Sequence, residues 1–238
     1  MKVLISGAGI AGTTLAYWLK HQGFESTIVE AAPKLRTGGY IIDFWGAGFE
    51  IAERMGIIPE IMKRGDRIRE VKVVNERGHR IAGFPVEAFS QIAQGRYVSL
   101  ARGDLAASIF GTIEHDVEAI FGDSVDRIEQ TESCLLASFK RTGVRYFDLL
   151  IGADGLHSRT RQLVFGPQSR FEKYLGFKVA AFEVAGYTPR DELTYVMYTR
   201  VGQQVGRFSM RDNRTMFLFI FSDGNPELPG DLPEQKTL

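Results

Sequence analysis

The 238-residue sequence is short of cysteine, of charge imbalance and of long apolar runs. Its one cysteine, Cys134, can form neither an internal disulfide nor a cysteine-based zinc site, which fits a reducing, cytoplasmic setting. Cys134 itself is expected to be a small buried hydrophobe. Lys plus Arg number 29 and Asp plus Glu number 29, so no basic stripe points to nucleic acid as a partner. Residues 3–19 carry no charge, yet Gly7, Gly9 and Gly12 interrupt them and no small-residue cleavage site follows at Lys20-His21-Gln22. They read as strand and helix rather than as a targeting segment. No other uncharged apolar stretch reaches ~18 residues, so integral membrane association is not expected.

What is present is ordinary for a globular chain: 44% apolar and 24% charged residues. A chain of this size buries roughly 70% of its unfolded surface. Residues 2–6 read as a buried strand, 10–22 as a helix stopping at Gly23, and 26–30 as a second strand, which together make one βαβ unit. Residues 44–55 look helical, ending near Gly56. Residues 71–75 and 80–84 form a hairpin around Glu76-Arg77-Gly78-His79. A helix is expected over 104–110, with helical character continuing to 118. Residues 124–129, 134–140 and 144–146 read as an antiparallel set, 149–152 as a buried strand entering a turn, and 158–164 as a helix. Four strand-like runs follow at 179–185, 194–199, 204–210 and 215–221, joined by turns such as Arg211-Asp212-Asn213. Trp18 and Trp45 are expected to be packing residues. The prolines at 226, 229 and 233 mark 226–238 as a linker or ragged end.

The sharpest local motif is Gly7-Ala8-Gly9-Ile10-Ala11-Gly12, between a strand and a helix. Gly7 allows a tight turn, Gly9 lets a pyrophosphate approach the backbone, and Gly12 lets the helix pack closely. The N–H groups of Ile10 and Ala11 then face the phosphates, where the helix dipole favours negative charge. Glu30 ends the second strand, 21 residues after Gly9. A carboxylate there accepts hydrogen bonds from the ribose hydroxyls of an adenosine and repels a 2′-phosphate.

A second motif, Gly152-Ala153-Asp154-Gly155-Leu156-His157-Ser158-Arg159-Thr160-Arg161, resembles the Gly-Ala-Asp-Gly-x-x-Ser-x-x-Arg element of group A FAD-dependent monooxygenases, the aromatic-ring hydroxylases of the para-hydroxybenzoate hydroxylase fold. Arg102-Gly103-Asp104-Leu105 resembles the family's Arg-x-x-Leu segment. Gly38-Gly39-Tyr40-Ile41-Ile42-Asp43 resembles a loop beside the flavin, especially in the tetracycline-inactivating members, which have one residue fewer before the aspartate. The likeness covers essentially the whole chain.

The resemblance implies an α/β fold: a Rossmann-like FAD-binding domain (1–68 and 101–168) interleaved with a mainly antiparallel β substrate domain (69–100 and 169–225). It implies FAD as cofactor and NADPH or NADH as transient reductant. The expected cofactor-binding residues are Gly7, Gly9, Ala11, Gly12, Glu30, Arg36, Asp43, Arg102, Val125 and Asp154. Arg102 would reach the ribitol or pyrophosphate. Val125 would present its backbone to the adenine. Asp154 would anchor a flavin-contacting turn braced by Ser158 and Arg161; as a plain alternative it is only a helix cap. His157 reads as solvent-facing. No catalytic side chain is demanded, because the oxygen transfer would run through a flavin C4a-hydroperoxide onto an aromatic or polyketide-like small molecule, with O₂ as co-substrate. Phe182, Tyr198, Arg207, Met210 and Phe219 are candidates for a substrate cavity between the flavin and the β domain. The family's later Gly-Asp-Ala-x-His-x-x-x-Pro element has no counterpart; Gly230-Asp231-Leu232-Pro233 does not match it, so a C-terminal flavin-contacting segment is read as absent. A catalytically inactive FAD-binding fragment, or another flavoprotein oxidoreductase such as a halogenase, remains the alternative, and the oligomer would be a monomer or homodimer.

Overall fold

The computed structural model describes residues 1–222 apart from 37, 38, 133, 189, 190, 211 and 212. The expected linker at 226–238, Gly38 of the flavin-side loop, and Arg211 and Asp212 of the expected turn lie outside the described residues.

The chain divides into two compact units, Met1–Asp66 with Arg96–Lys173, and Arg67–Gly95 with Tyr174–Leu238. The first two divisions fall a few residues before the expected boundaries at 68/69 and 100/101, and the third a few residues after the expected one at 168/169. The first unit opens with strand β1 (Lys2–Ser6), helix α1 (Ile10–His21) and β2 (Glu25–Glu30), followed by β3 (Ile41–Trp45), α2 (Ala47–Arg54) and α3 (Ile58–Arg64). The second unit then contributes the hairpin β4 (Glu70–Val74) and β5 (Arg80–Pro85), and α4 (Glu87–Ile92). The chain returns with β6 (Tyr97–Ala101), α5 (Arg102–Phe110) and β7 (Glu118–Phe121). A meander of β8 (Val125–Gln130), β9 (Leu135–Phe139) and β10 (Val144–Phe147) leads to β11 (Leu149–Gly152) and α6 (Arg159–Phe165). β12 (Phe177–Ala185), β13 (Thr194–Arg200), β14 (Gln203–Ser209) and β15 (Arg214–Ser222) complete the second unit.

In the first unit, a parallel sheet in the order β11-β1-β2-β7 forms the spine. A parallel sheet needs cover on both faces, so its central strands β1 and β2 are buried without alternation. In β1 every residue after Lys2 is buried. Val3 and Ile5 point into a core with Ile28, Leu105, Ile109 and Ile113, while Leu4 points oppositely into a core with Val29, Val125, Phe139 and Phe147. Helices α1 and α5 supply the first cover, and the antiparallel meander β10-β9-β8 the second. Each fully buried Val, Leu or Ile contributes about 1.5–3 kcal/mol relative to exposure.

Several expectations change here. The helix expected at 44–55 begins only at Ala47, because Phe44 and Trp45 pair in β3 with Val98 and Tyr97, and Gly46 turns the chain with φ +63°. Trp45 is 49% exposed, so it is not a core packing residue, whereas Trp18 packs against the first core with Arg54 over its ring at 5.0 Å. The helical character expected up to 118 stops earlier, and Glu118 opens β7, whose parallel pairing with β2 outweighs local propensity. Helices α3 and α4 and strand β6 had no sequence counterpart. β11 is only half-buried, with Leu149 41% exposed, because it is the edge of its sheet. Cys134 is partly exposed in the turn between β8 and β9, where its N–H donates to Thr131 Oγ1 at 3.0 Å.

The second unit is a six-stranded sheet in the order β12-β15-β14-β13-β4-β5, antiparallel except where β13 meets β4. The β4–β5 hairpin turns as expected: Asn75 Oδ1 accepts from the N–H groups of Arg77 (3.0 Å) and His79 (2.9 Å), and Gly78 takes φ +77°. Among the described residues, no helix is long and apolar enough to cross a membrane.

Candidate functional site

The register of the parallel sheet decides where the site forms. β1 pairs on one side with β2, which follows it through α1, and on the other with β11, which the chain reaches only after the meander. In such sheets the crevice at the carboxyl ends beside the reversal point receives the ligand. Ser6 pairs with Gly152, and the turns that follow them therefore emerge side by side. Ala153 N–H donates to Ser6 O at 2.7 Å.

The three glycines of the first turn have three distinct environments. Gly7 takes φ +109°, and a Cβ there would lie 2.5 Å from Ala153 O and 2.9 Å from Asp154 Cα. The glycine loop and the Asp154 turn are thus in direct contact. A Cβ on Gly12 would lie 1.9 Å from Gly7 O, so α1 packs on the turn itself. A Cβ on Gly9 would meet nothing within 4 Å. Gly9 is therefore not required by the protein's own packing; the open space in front of it fits the close approach of a ligand. Behind it, the first N–H groups of α1, including Ala11, have no intrahelical acceptor.

Glu30 closes one side of this loop. Its Oε2 accepts from Ala8 N–H at 2.9 Å and its Oε1 from Ala32 N–H at 2.9 Å. The carboxylate is thereby fixed in orientation, and each oxygen keeps lone-pair capacity for a ribose hydroxyl. Asp154 is fixed likewise: Oδ1 accepts from Ser158 Oγ at 2.5 Å and Oδ2 from Thr160 N–H at 2.9 Å. The cap of α6 is Ser158, which accepts from Arg161 N–H at 2.9 Å, with Asp154 behind it as a second acceptor. Arg161 Nη2 donates to Leu156 O at 2.6 Å, so Ser158 and Arg161 do brace the turn. His157 is exposed and contacts Gln168.

Other expected residues form separate groups within the first unit. Arg102 begins α5, donates to Tyr40 Oη at 2.8 Å, and lies 5.7 Å from that ring's centroid. Its own N–H donates to Tyr40 O at 3.1 Å, which ties the helix start to the loop carrying Gly39. Asp43 lies in β3 opposite Ser99, whose hydroxyl donates to it at 2.5 Å. Arg36 is exposed. Val125 is 1% exposed at the start of β8.

Asp123, just before Val125, was not singled out from sequence although an Asp-Ser pair after Phe121-Gly122 is a turn signal. It is 3% exposed. Its N–H donates to Glu30 O at 3.1 Å. Its carboxylate accepts from Ser124 N–H (2.7 Å), Arg141 N–H (3.1 Å), Thr142 N–H (2.8 Å) and Thr142 Oγ1 (2.8 Å). Burial pushes this carboxyl up, but the Thr142 hydroxyl and the backbone donors outweigh it and hold it below the usual carboxylate range. A depressed folded value means the group stabilises the fold above about pH 4 and that this contribution is lost as pH falls through the folded value. Asp123→Ala should cost about 2–3 kcal/mol at pH 7, and the gap to wild type should shrink in urea titrations below pH ~4. A gap independent of pH would contradict this role.

In the second unit, strand pairing puts Phe182, Phe217, Arg207 and Val196 in one row, with Phe219, Val205 and Tyr198 in the next row on the same face. Phe182 stacks on Phe217 and Phe219 at 5.7 and 5.6 Å. Arg207 pairs with Asp191, which also takes Lys72 Nζ at 3.1 Å. Burial raises the Asp191 carboxyl, and its bonds to Lys72 and Arg207 more than reverse this and hold it low. Met210 stands apart, one residue past β14 and 8% exposed.

The family model for an FAD binding domain matches residues 1–231. A flavin-dependent monooxygenase from an unknown prokaryotic organism is 31% identical over 237 residues, covering 99% of this chain and 61% of its own. The crystal structure of tetracycline destructase Tet(55) superposes with a TM-score of 0.81 at 29% identity, covering 97% of this chain and 58% of its own. Klebsiella pneumoniae HpxO, solved with FAD and uric acid, gives 0.77 at 25% identity, covering 98% and 58%. The chain thus spans about three-fifths of the length of the relatives it matches.

Proposed function

We propose, because the chain belongs to the FAD-dependent monooxygenase family, that it carries the FAD-holding and substrate-facing parts of an enzyme that hydroxylates an aromatic or polyketide-like small molecule. The observation that supports this most is the open space before Gly9, flanked by the fixed carboxylate of Glu30 and by the Asp154 turn in contact with Gly7. Gly9 and the N–H groups of Ile10 and Ala11 would receive the pyrophosphate, with Gly7 and Gly12 shaping the turn. Glu30 would bind the ribose and Val125 the adenine through its backbone. Arg102, Asp43 and Asp154 would serve the ribitol and flavin side, and Arg36 is a further candidate there.

FAD, when bound and reduced by NADPH or NADH, supplies the activation of O₂ for hydroxylation. The chain's own part is to hold the cofactor, orient the substrate and keep water out. Tyr198, Arg207 and Phe219, which share one sheet face, are proposed to contact the substrate, with Met210 as a further candidate. A planar ring fits such an aromatic face, and Arg207 supplies a cation for a phenolate or enolate oxygen. The first unit would be the FAD-binding domain and the second the substrate domain.

Expressing the chain, removing free flavin and recording the visible spectrum tests this. Retained FAD with NADPH-driven O₂ uptake and a hydroxylated product is the expected result. Retained FAD without turnover would support a binding role alone. A colourless protein that does not take up added FAD would overturn the reading.

A further inference from the structure

We infer that Arg141 is an additional cofactor-binding residue that lays its guanidinium against the adenine ring, and this rests on the reading of Glu30 as the ribose acceptor. Three short segments are knitted together at the rim beyond Glu30. Gly122 N–H donates to Ala32 O at 2.8 Å, and Asp123 N–H donates to Glu30 O at 3.1 Å. The buried Asp123 carboxylate then grips the turn between β9 and β10 through Arg141 N–H and Thr142. The backbone of Arg141 is thereby fixed to the strand end that carries Glu30.

Its side chain extends over that rim. A Cβ built on Gly122 would lie 3.7 Å from Arg141 Nη1 and 3.8 Å from Pro33 Cα. Arg141 is exposed, and its guanidinium has no hydrogen-bond or ion-pair partner among the described residues. A planar cation so positioned, beside a residue without a side chain, is suited to a flat π-face.

The order of groups in the ligand identifies which face that is. Pyrophosphate, ribose and base follow one another in an adenine nucleotide. The glycine loop, Glu30 and the Pro33–Gly122 rim follow one another on the protein. A base attached to a ribose at Glu30 and a pyrophosphate at Gly9 extends to the Arg141 side. Asp123 acts here as a positioning residue and Arg141 as the contact.

The test measures Kd of the full chain for FAD, ADP and inorganic pyrophosphate by calorimetry, for wild type, Arg141→Ala and Arg141→Lys. Arg141 is exposed, so both variants should melt with wild type. The expected result is about a tenfold weakening of FAD and of ADP alike in Arg141→Ala, with pyrophosphate unchanged. Arg141→Lys should stay within about twofold of the alanine variant, since lysine restores charge without a planar face. Full rescue by lysine, or an equal loss for pyrophosphate, would mean a phosphate contact and overturn the inference. Unchanged ADP affinity in Arg141→Ala would also overturn it while leaving the FAD reading intact. A wild-type chain that binds neither FAD nor ADP would sink the FAD reading and the inference together.

Discussion

Gly9→Val is expected to weaken FAD binding at least 100-fold while the protein folds normally. The reasoning starts from the empty space at this position. A Cβ there touches no protein atom within 4 Å, and Gly9 has φ −74°, a backbone setting that any residue adopts. The Cβ of a side chain here therefore meets no resistance from the folded chain. The only folding cost is a poorer helix cap, worth less than about 1 kcal/mol and a melting shift of about 2–4 °C at most. The valine would instead occupy the volume a pyrophosphate needs to reach the N–H groups of Ile10 and Ala11. A 100-fold loss corresponds to about 2.8 kcal/mol, the scale of two or three lost charge-assisted hydrogen bonds after compensation. Equilibrium dialysis with FAD, alongside a thermal melt of the apoprotein, separates the two effects. Unaltered FAD affinity in a folded Gly9→Val protein would mean that the cofactor does not run over this loop.

That the turn at Gly9 and the strand end at Glu30 are legible from sequence has a local cause. A buried parallel strand writes an apolar run, a helix start writes its glycines, and both are contained in a few neighbouring residues. The Asp154 turn was legible only by resemblance; its contact with Gly7 comes from the Ser6–Gly152 pairing, which spans most of the chain and leaves no local signature. The misreadings have the same origin. The stretch up to Glu118 reads as helical, yet Glu118 opens a strand because β2 offers an open edge. Phe44 and Trp45 continue the apolar pattern of α2, yet β6 draws them into a ribbon. Asp123 shows the limit most clearly. Its donors come from positions 124, 141 and 142, and the two later ones are brought to it only by the meander. The sequence points Glu30 at a ribose, but its grip on Ala8 and Ala32 requires the folded loop.

Three residues beyond Gly9, a much smaller change should have the opposite effect. Gly12→Ala adds one methyl group, and that Cβ would stand 1.9 Å from Gly7 O and 3.3 Å from Ile5 Cγ2. A carbonyl oxygen of the main chain cannot rotate away as a flexible side chain would. Relief requires α1 to lift from β1, where Val3 and Ile5 contribute to the first core. The gain in helix propensity from glycine to alanine is about 0.8–1.0 kcal/mol. Overpacking in a rigid core costs about 1–3 kcal/mol when neighbours can yield, and more when they are backbone. The net expectation is a destabilisation of about 3 kcal/mol or more, a fall in melting temperature of about 6–12 °C, and a lower urea midpoint without cofactor present. FAD affinity should fall as well, because the displaced Gly7 carbonyl belongs to the turn proposed to receive the pyrophosphate. The two variants together test the proposed division of the motif by cause, with Gly12 serving the helix and Gly9 the ligand. A Gly12→Ala apoprotein that melts with wild type would show that α1 does not rest on Gly7, and the assignment of the open space at Gly9 to a pyrophosphate would lose its framework.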